Sequence, residues 1–116
     1  MSQPVIPPVS VRRGEVWWVD LGPTRGSEIR KMRPAVVLTA DALNLARRTV
    51  VVVPLSTGPT PRPPIVVATA SAGVGSVAVC DQVRAVDKGR LTRRVGPLAM
   101  ADLRAIEDGV RVVLGL

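Results

Sequence analysis

The alternation of apolar and polar positions divides the chain into strand-like blocks followed by one helix-like block. Residues 15–20 (EVWWVD) put Val16 and Trp18 on one face of a strand and Trp17 and Val19 on the other. Both faces are apolar and need covering, one by the domain core and the other by a second subunit. Residues 34–40 predict a second strand, joined to the first by a polar loop over residues 21–33. Residues 49–56 predict a strong third strand: valines 50–53 argue for burial on both faces, and Pro54 closes the run. The stretch 57–64, with four prolines and Gly58, must be loop. Residues 65–70 and 76–86 read as strands around a Gly-rich turn at 71–75. A short turn at 87–92 leads to an edge strand at 95–98. Residues 41–48 read either as a single helical turn or as an irregular excursion.

The period then changes. Leu103, Ile106, Val110, Val113 and Leu114 fall on one helical face, with Asp102, Arg104, Glu107, Asp108 and Arg111 largely elsewhere. Ala99 offers no capping side chain, although Asp102 complements the helix dipole. The expectation is one mostly-β domain over residues 12–116, a sheet with one C-terminal helix laid on it. Residues 1–11, with three prolines and no charged side chain, predict an extended, poorly ordered lead-in.

Composition sharpens this picture. A length of 116 residues suits one core, and a 47% hydrophobic share can fill it. Aromatic residues make up only 2%, so Val, Leu, Ile and Ala must do the packing, which favours sheet over bundle. Lys and Arg outnumber Asp and Glu by 16 to 9, a net charge of +7, which favours a polyanionic partner. The single Cys80 lies in an apolar run and reads as a buried thiol in a reducing compartment. The first ten residues lack the pattern of a signal peptide, and no segment is long enough to cross a bilayer. A cytoplasmic, soluble protein is expected.

Two features carry candidate chemistry. The loop 21–33 sets Glu28 among Arg25, Arg30, Lys31 and Arg33, a donor-rich set better suited to phosphate than to a metal. The same charges could equally be a solvated hairpin loop. Polar groups also flank the proline-rich loop, at Ser56, Thr57 and Arg62, and cluster late in the chain at Asp81, Gln82 and Arg84. The absence of His excludes a Ser-His-Asp triad, and with one Cys a zinc site has too few ligands. No phosphate-loop or dinucleotide fingerprint is present. Arg, Ser/Thr, carboxylates and backbone donors remain. Such a set can cleave RNA without metal or cofactor, because the substrate's own 2′-OH supplies the nucleophile.

The strings GEVWWVDLGPTRGSEIRKMRPAVVL, VVVPLSTG and VAVCDQVRAVDKGRL resemble the MazF/PemK (Kid) family of toxin endoribonucleases. The resemblance runs from Arg12 to the end of the chain. Its most specific blocks are Gly-Ser-Glu (26–28), Arg-Pro (33–34), Pro-Leu-Ser-Thr (54–57) and Asp-Gln-Val (81–83). It implies an SH3-like barrel with a C-terminal helix, assembled as a homodimer. It further implies a toxin that cuts single-stranded RNA at short sequences and is silenced by a cognate antitoxin, here expected to use an acidic, disordered tail. By the same resemblance, Arg33 matches the catalytic arginine, as phosphate clamp or proton donor. Ser56 matches the hydroxyl position, with Thr57 as the alternative one residue on. Glu28 matches the acidic residue that orients or deprotonates the 2′-OH. Arg25, Ser27, Arg30, Lys31, Thr57, Arg62, Gln82 and Arg84 are the candidate RNA-binding side chains. The chain departs from the common pattern at Ile29, where Gln is frequent, and in its proline-rich linker.

Two other functions remain open on sequence. One is a toxin of the same fold that poisons DNA gyrase, as in the CcdB branch, although residues 111–116 lack the Trp that branch uses. The other is a catalytically inactive SH3-like module that binds nucleic acid.

Overall fold

A computed structural model describes residues 10–23 and 30–116. Seven strands, β1 (Glu15–Pro23), β2 (Arg30–Val37), β3 (Thr49–Ser56), β4 (Val66–Ala68), β5 (Val77–Val79), β6 (Arg84–Asp87) and β7 (Leu91–Pro97), are followed by the closing helix α2 (Met100–Leu114). A short helix, α1 (Asp41–Ala46), joins β2 to β3, which settles the ambiguity over residues 41–48 as a helical turn and a half. The pairing is antiparallel throughout, in the order β4-β5-β3-β2-β1-β7, with β6 also on β3. The mostly-β architecture with a C-terminal helix is the expected one.

β3 is where the sheet divides. Thr49–Val52 pair with β6, whereas Leu55 and Ser56 pair with β5. Pro54 sits between these partners, buried, in register with Ala35 of β2. A proline has no N–H to give a ladder, so the change of neighbour falls where no donor is lost. Pro54 therefore lies inside the strand and does not close it. The predicted strand over 76–86 also differs. It breaks into β5, a 3-10 turn (Cys80–Gln82) and β6, because the chain must leave the β4–β5 pair to reach the other half of β3.

The two faces of β1 fill two apolar clusters. Val16 joins Val36, Val53, Leu55, Val67, Ala78 and Cys80 beneath Leu103 and Ile106 of α2. Trp17 and Val19 join Val11, Ala35, Val37, Val50, Val52 and Val86 on the other side. Trp17 is 6% exposed, so its own chain covers that face, whereas Trp18, next to it on the other face, is half-buried. Val11, assigned on sequence to the lead-in, is likewise buried in that cluster. Residues 1–9 lie outside the described ones.

α2 is capped from a distance. The Ser71 hydroxyl accepts from the Ala99 N–H at 3.0 Å, and Asp102 accepts from both the N–H and the hydroxyl of Ser71. The missing local cap is thus supplied by the β4–β5 connection. Arg13 pairs with Glu107 and holds the middle of the helix to the start of β1. Leu114, expected on the apolar face, is 55% exposed, whereas Leu103 and Ile106 are buried. The helix also carries a mid-helix glycine at an intrinsic cost of about 1 kcal/mol against Ala. A Cβ on Gly109 would lie 2.4 Å from the Pro64 carbonyl oxygen and 2.6 Å from Cys80 Sγ. Close approach of helix to chain explains the residue. Among the described residues, no helix is long and apolar enough to cross a membrane.

Candidate active site

Strand alternation puts Arg33, Ala35 and Val37 of β2 on one face of the sheet, together with Val50, Val52, Pro54 and Ser56 of β3. This is the face opposite α2. The register pairing Ala35 with Pro54 and Val36 with Val53, continued by two residues, brings Arg33 opposite Ser56. Here the apolar face gives way to an open groove of about 320 Å³. Lys31, Arg33, Pro54, Leu55, Ser56, Pro59, Val66, Val79, Asp81 and Gln82 line it.

One wall of the groove is strand. Lys31 and Arg33 are half-buried on β2, so their stems are held by the sheet while their charged ends reach solvent. Ser56, also half-buried, ends β3, and the Gly58 N–H points at its Oγ from 3.5 Å. The hydroxyl proton is left to offer to a ligand. The other wall is the Cys80–Gln82 turn, whose Asp81 and Gln82 are exposed. The turn is fixed from behind: the Cys80 N–H donates to the Ile65 carbonyl at 2.9 Å, and the thiol faces the Ile106 carbonyl at 3.8 Å. Burial, and secondarily the Asp81 carboxylate, push the Cys80 thiol up to about 11, so it stays neutral and serves as packing. Val66 and Val79, which face each other across β4 and β5, form an apolar floor.

The structure brings together four of the candidate residues, Arg33, Ser56, Lys31 and Gln82. Arg33 and Lys31, with Arg30, belong to β2 and not to the expected loop, because the β1–β2 pairing reaches Pro23 and Arg30. Thr57 is exposed and does not line the groove, so Ser56 is the hydroxyl that faces it. Arg62 lies exposed beside the groove, its backbone bridged to Val66, and does not line it. Arg84 is exposed on β6, opposite Val52, away from the lining. Arg25, Ser27 and Glu28 lie outside the described residues. Asp81 is the groove residue that sequence reasoning left out of the site. Its signal was the Asp-Gln pair, masked by reading 76–86 as one continuous strand. Among the described residues, no three His, Cys, Asp or Glu side chains gather as an ion site.

A charged fork, a point charge, a hydroxyl, a carboxylate and an amide, all facing one cleft of a basic domain, suit a phosphodiester with a base beside it. Residues 12–114 match the family of PemK-like, MazF-like toxins of type II toxin–antitoxin systems. The chain belongs to this family. Among MazF relatives, endoribonuclease MazF9 of Mycobacterium tuberculosis is 34% identical over 115 residues, covering 91% of this chain and 98% of the relative. Endoribonuclease PemK of Escherichia coli is 38% identical over 81 residues, covering 66% of this chain and 61% of its own. The MazF fold recurs in solved structures. The MazE–MazF crystal structure (Form-II) from Deinococcus radiodurans superposes with a TM-score of 0.78 at 24% identity, covering 93% of this chain and 98% of that one. An endoribonuclease from a mycobacterial species, in complex with its cognate antitoxin, gives a TM-score of 0.75 at 24% identity, covering 91% and 96%.

Proposed function

We propose that this chain is the toxin of a type II toxin–antitoxin system and acts as an endoribonuclease on single-stranded RNA in the cytoplasm. The observation that carries the reading is the meeting of Arg33 and Ser56 in one open groove of a chain in the PemK-like, MazF-like toxin family. The scissile phosphate lies between them. Arg33 grips its non-bridging oxygens with two parallel N–H donors and turns a further N–H towards the leaving 5′-oxygen, which takes up a proton from it or from water as the P–O5′ bond breaks. The Ser56 hydroxyl donates to the same phosphate as charge builds on the phosphorane. The attacking 2′-OH gives its proton to a carboxylate. Asp81 lies in the groove for that role, with Glu28 of the adjoining segment as the other candidate. Lys31 contributes a positive field along the RNA backbone, and Gln82 offers an amide to a base edge.

The nucleophile belongs to the substrate, so the chemistry needs no metal. Purified protein should cleave a long single-stranded RNA in the presence of EDTA, leaving a 2′,3′-cyclic phosphate and a 5′-OH. Replacing the 2′-OH at the cut site by hydrogen should abolish cleavage while leaving binding largely intact. A Mg²⁺ requirement or a 5′-phosphate product would sink this mechanism.

The toxin works as a homodimer held by a cognate antitoxin with an acidic, disordered tail that competes with RNA for the cationic wall. Val16, Trp17 and Val19 are covered by the chain itself, so on β1 it is the half-buried Trp18 that remains to meet a partner. Val95 of β7 and Met100, Val112, Leu114 and Leu116 of the C-terminal end are also exposed apolar side chains. Sedimentation should give about twice the 12.3 kDa chain mass.

A further inference from the structure

The groove's two walls are not held alike. Arg33 and Ser56 sit on long strands bound on both sides by the sheet, whereas Asp81 and Gln82 sit on a three-residue turn. What stands behind that turn is α2, which meets it at the Ile106 carbonyl, 3.8 Å from Cys80 Sγ, and most closely at Gly109. A side chain there would meet two things at once, the Pro64 carbonyl oxygen at 2.4 Å and Cys80 Sγ at 2.6 Å, with Cys80 Cβ at 3.2 Å. Cys80 directly precedes Asp81. Pro64 precedes Ile65 and Val66, and Ile65 is tied to Cys80 by its carbonyl while Val66 lines the groove. The bare face of one helical residue therefore lies against the back of both the turn that forms the groove's second wall and the segment that leads into its floor.

We propose that Gly109 is a positioning residue: it lets α2 rest directly on Cys80 and Pro64, and so sets how far Asp81 and Gln82 stand from Arg33 and Ser56. The inference rests on the endoribonuclease reading of the groove. A methyl group at this position cannot be absorbed by a flexible side chain, because one of the two atoms it meets is backbone. Either α2 lifts off or the Cys80–Gln82 turn is pushed towards the groove. Both change the distance from the carboxylate to the bound 2′-OH, and misplacement on the scale of an ångström is costly to an aligned reaction.

The matched control is Val50→Ala, a truncation of a fully buried residue whose cluster holds no residue of α2 or of the Cys80–Gln82 turn. Gly109→Ala should fold by circular dichroism and lower kcat/KM on single-stranded RNA about tenfold, with most of the loss in kcat. Val50→Ala should lower Tm comparably and leave kcat/KM within about twofold of the wild type. The backbone amide resonances of Val66, Asp81 and Gln82 should shift in Gly109→Ala and hold still in Val50→Ala. Wild-type rate in folded Gly109→Ala, with or without those shifts, overturns the proposal, and so does equal loss in the control. If Gly109→Ala does not fold, Cys80→Ala decides. It removes the sulfur on which the helix rests, lets the turn settle back, and should lower kcat several-fold; an unchanged kcat overturns the proposal. Should the wild type cleave no RNA at all, the endoribonuclease reading falls, and the amide shifts alone then decide whether Gly109 holds the turn.

Discussion

The two ends of one sheet face are built on the same strands by the same alternation and behave in opposite ways. At one end Val37, Ala35, Val50 and Val52 are sealed under Trp17, Val19, Val11 and Val86. At the other the inward positions continue, but their occupants become Arg33, Lys31, Pro54 and Ser56, and the face opens. The alternation of β2 and β3 carries on across the boundary even though β3 changes neighbour there from β6 to β5, and the side-chain chemistry changes with it. An apolar face that stops while its register runs on leaves side chains rigidly aimed at solvent, with their stems packed and their polar ends free. This is how a small domain with 2% aromatic residues can hold a preorganised phosphate site.

The sharpest way to break the comparison is to make the open end apolar or neutral. Arg33→Ala removes the fork that meets the growing phosphorane charge. By analogy with the loss of an oxyanion donor it should cost ~3–4 kcal/mol, or roughly a few hundredfold in kcat/KM. Arg33→Lys keeps the charge but loses the planar pair of donors, and single-turnover rates should stay badly impaired. Near-normal turnover in either variant would mean that the groove is not where the phosphate reacts. The sealed end supplies the contrast. Val52→Ala should lower Tm through a cavity of the kind that costs about 1–3 kcal/mol, while the folded fraction keeps its rate.

Asp81 tests the turn wall against the strand wall. Asp81→Asn preserves size and removes the proton acceptor, and should lower kcat by about a hundredfold, the low end for a positioned general base. Comparison with Glu28→Gln then assigns the base: the variant with the larger loss, and with the loss of the acidic limb in the pH–rate profile, carries it. Equal small losses would leave RNA binding as the role of both.

These outcomes bear on what was legible in the sequence. Apolar, β-branched blocks announced β1, β2 and β3, and period 3.6 announced α2, because long buried elements write their burial into composition and spacing. The groove's strand wall followed from the family resemblance at Arg33 and Ser56, and β2 and β3 carry both to one place. Of the turn wall, only Gln82 followed. Residues 76–86 alternate only partly, and nothing local says that Cys80–Gln82 coils into a 3-10 turn; the need to pass from β5 to β6 along the divided β3 decides it. Likewise either face of β1 read as available to a second subunit, because Val11 and Val86, distant from Trp17 in sequence, could not be seen to join it in one cluster. Cross-chain packing, not propensity, is the missing information.

A smaller effect separates the two neighbouring hydroxyls. Ser56 faces the groove and Thr57 does not. Ser56→Ala should reduce kcat/KM about tenfold, the value of one neutral hydrogen bond strengthened in the transition state. Thr57→Ala should change it by no more than about twofold, and the reverse order would place the reacting phosphate on the outer rim.

The smallest effect concerns the sealed back of the turn and appears only in alkali. Cys80 is fully buried, and its thiol is raised to about 11 against an ordinary value near ~8.5. A raised acid means that the fold holds the neutral thiol while the unfolded chain ionises at the lower pH. The stabilisation is therefore whole below the unfolded value and is lost as pH rises towards the folded one. Between about pH 9 and 11 urea unfolding should show stability falling by roughly 1 kcal/mol per pH unit from this group. Other groups titrate in the same range, so the measured quantity is the difference from Cys80→Ala, which starts less stable but should lack that share of the slope. Identical slopes in the two proteins would show that the thiolate is tolerated in place, and that the back of the turn is wetter than its packing against Ile106 and Gly109 implies.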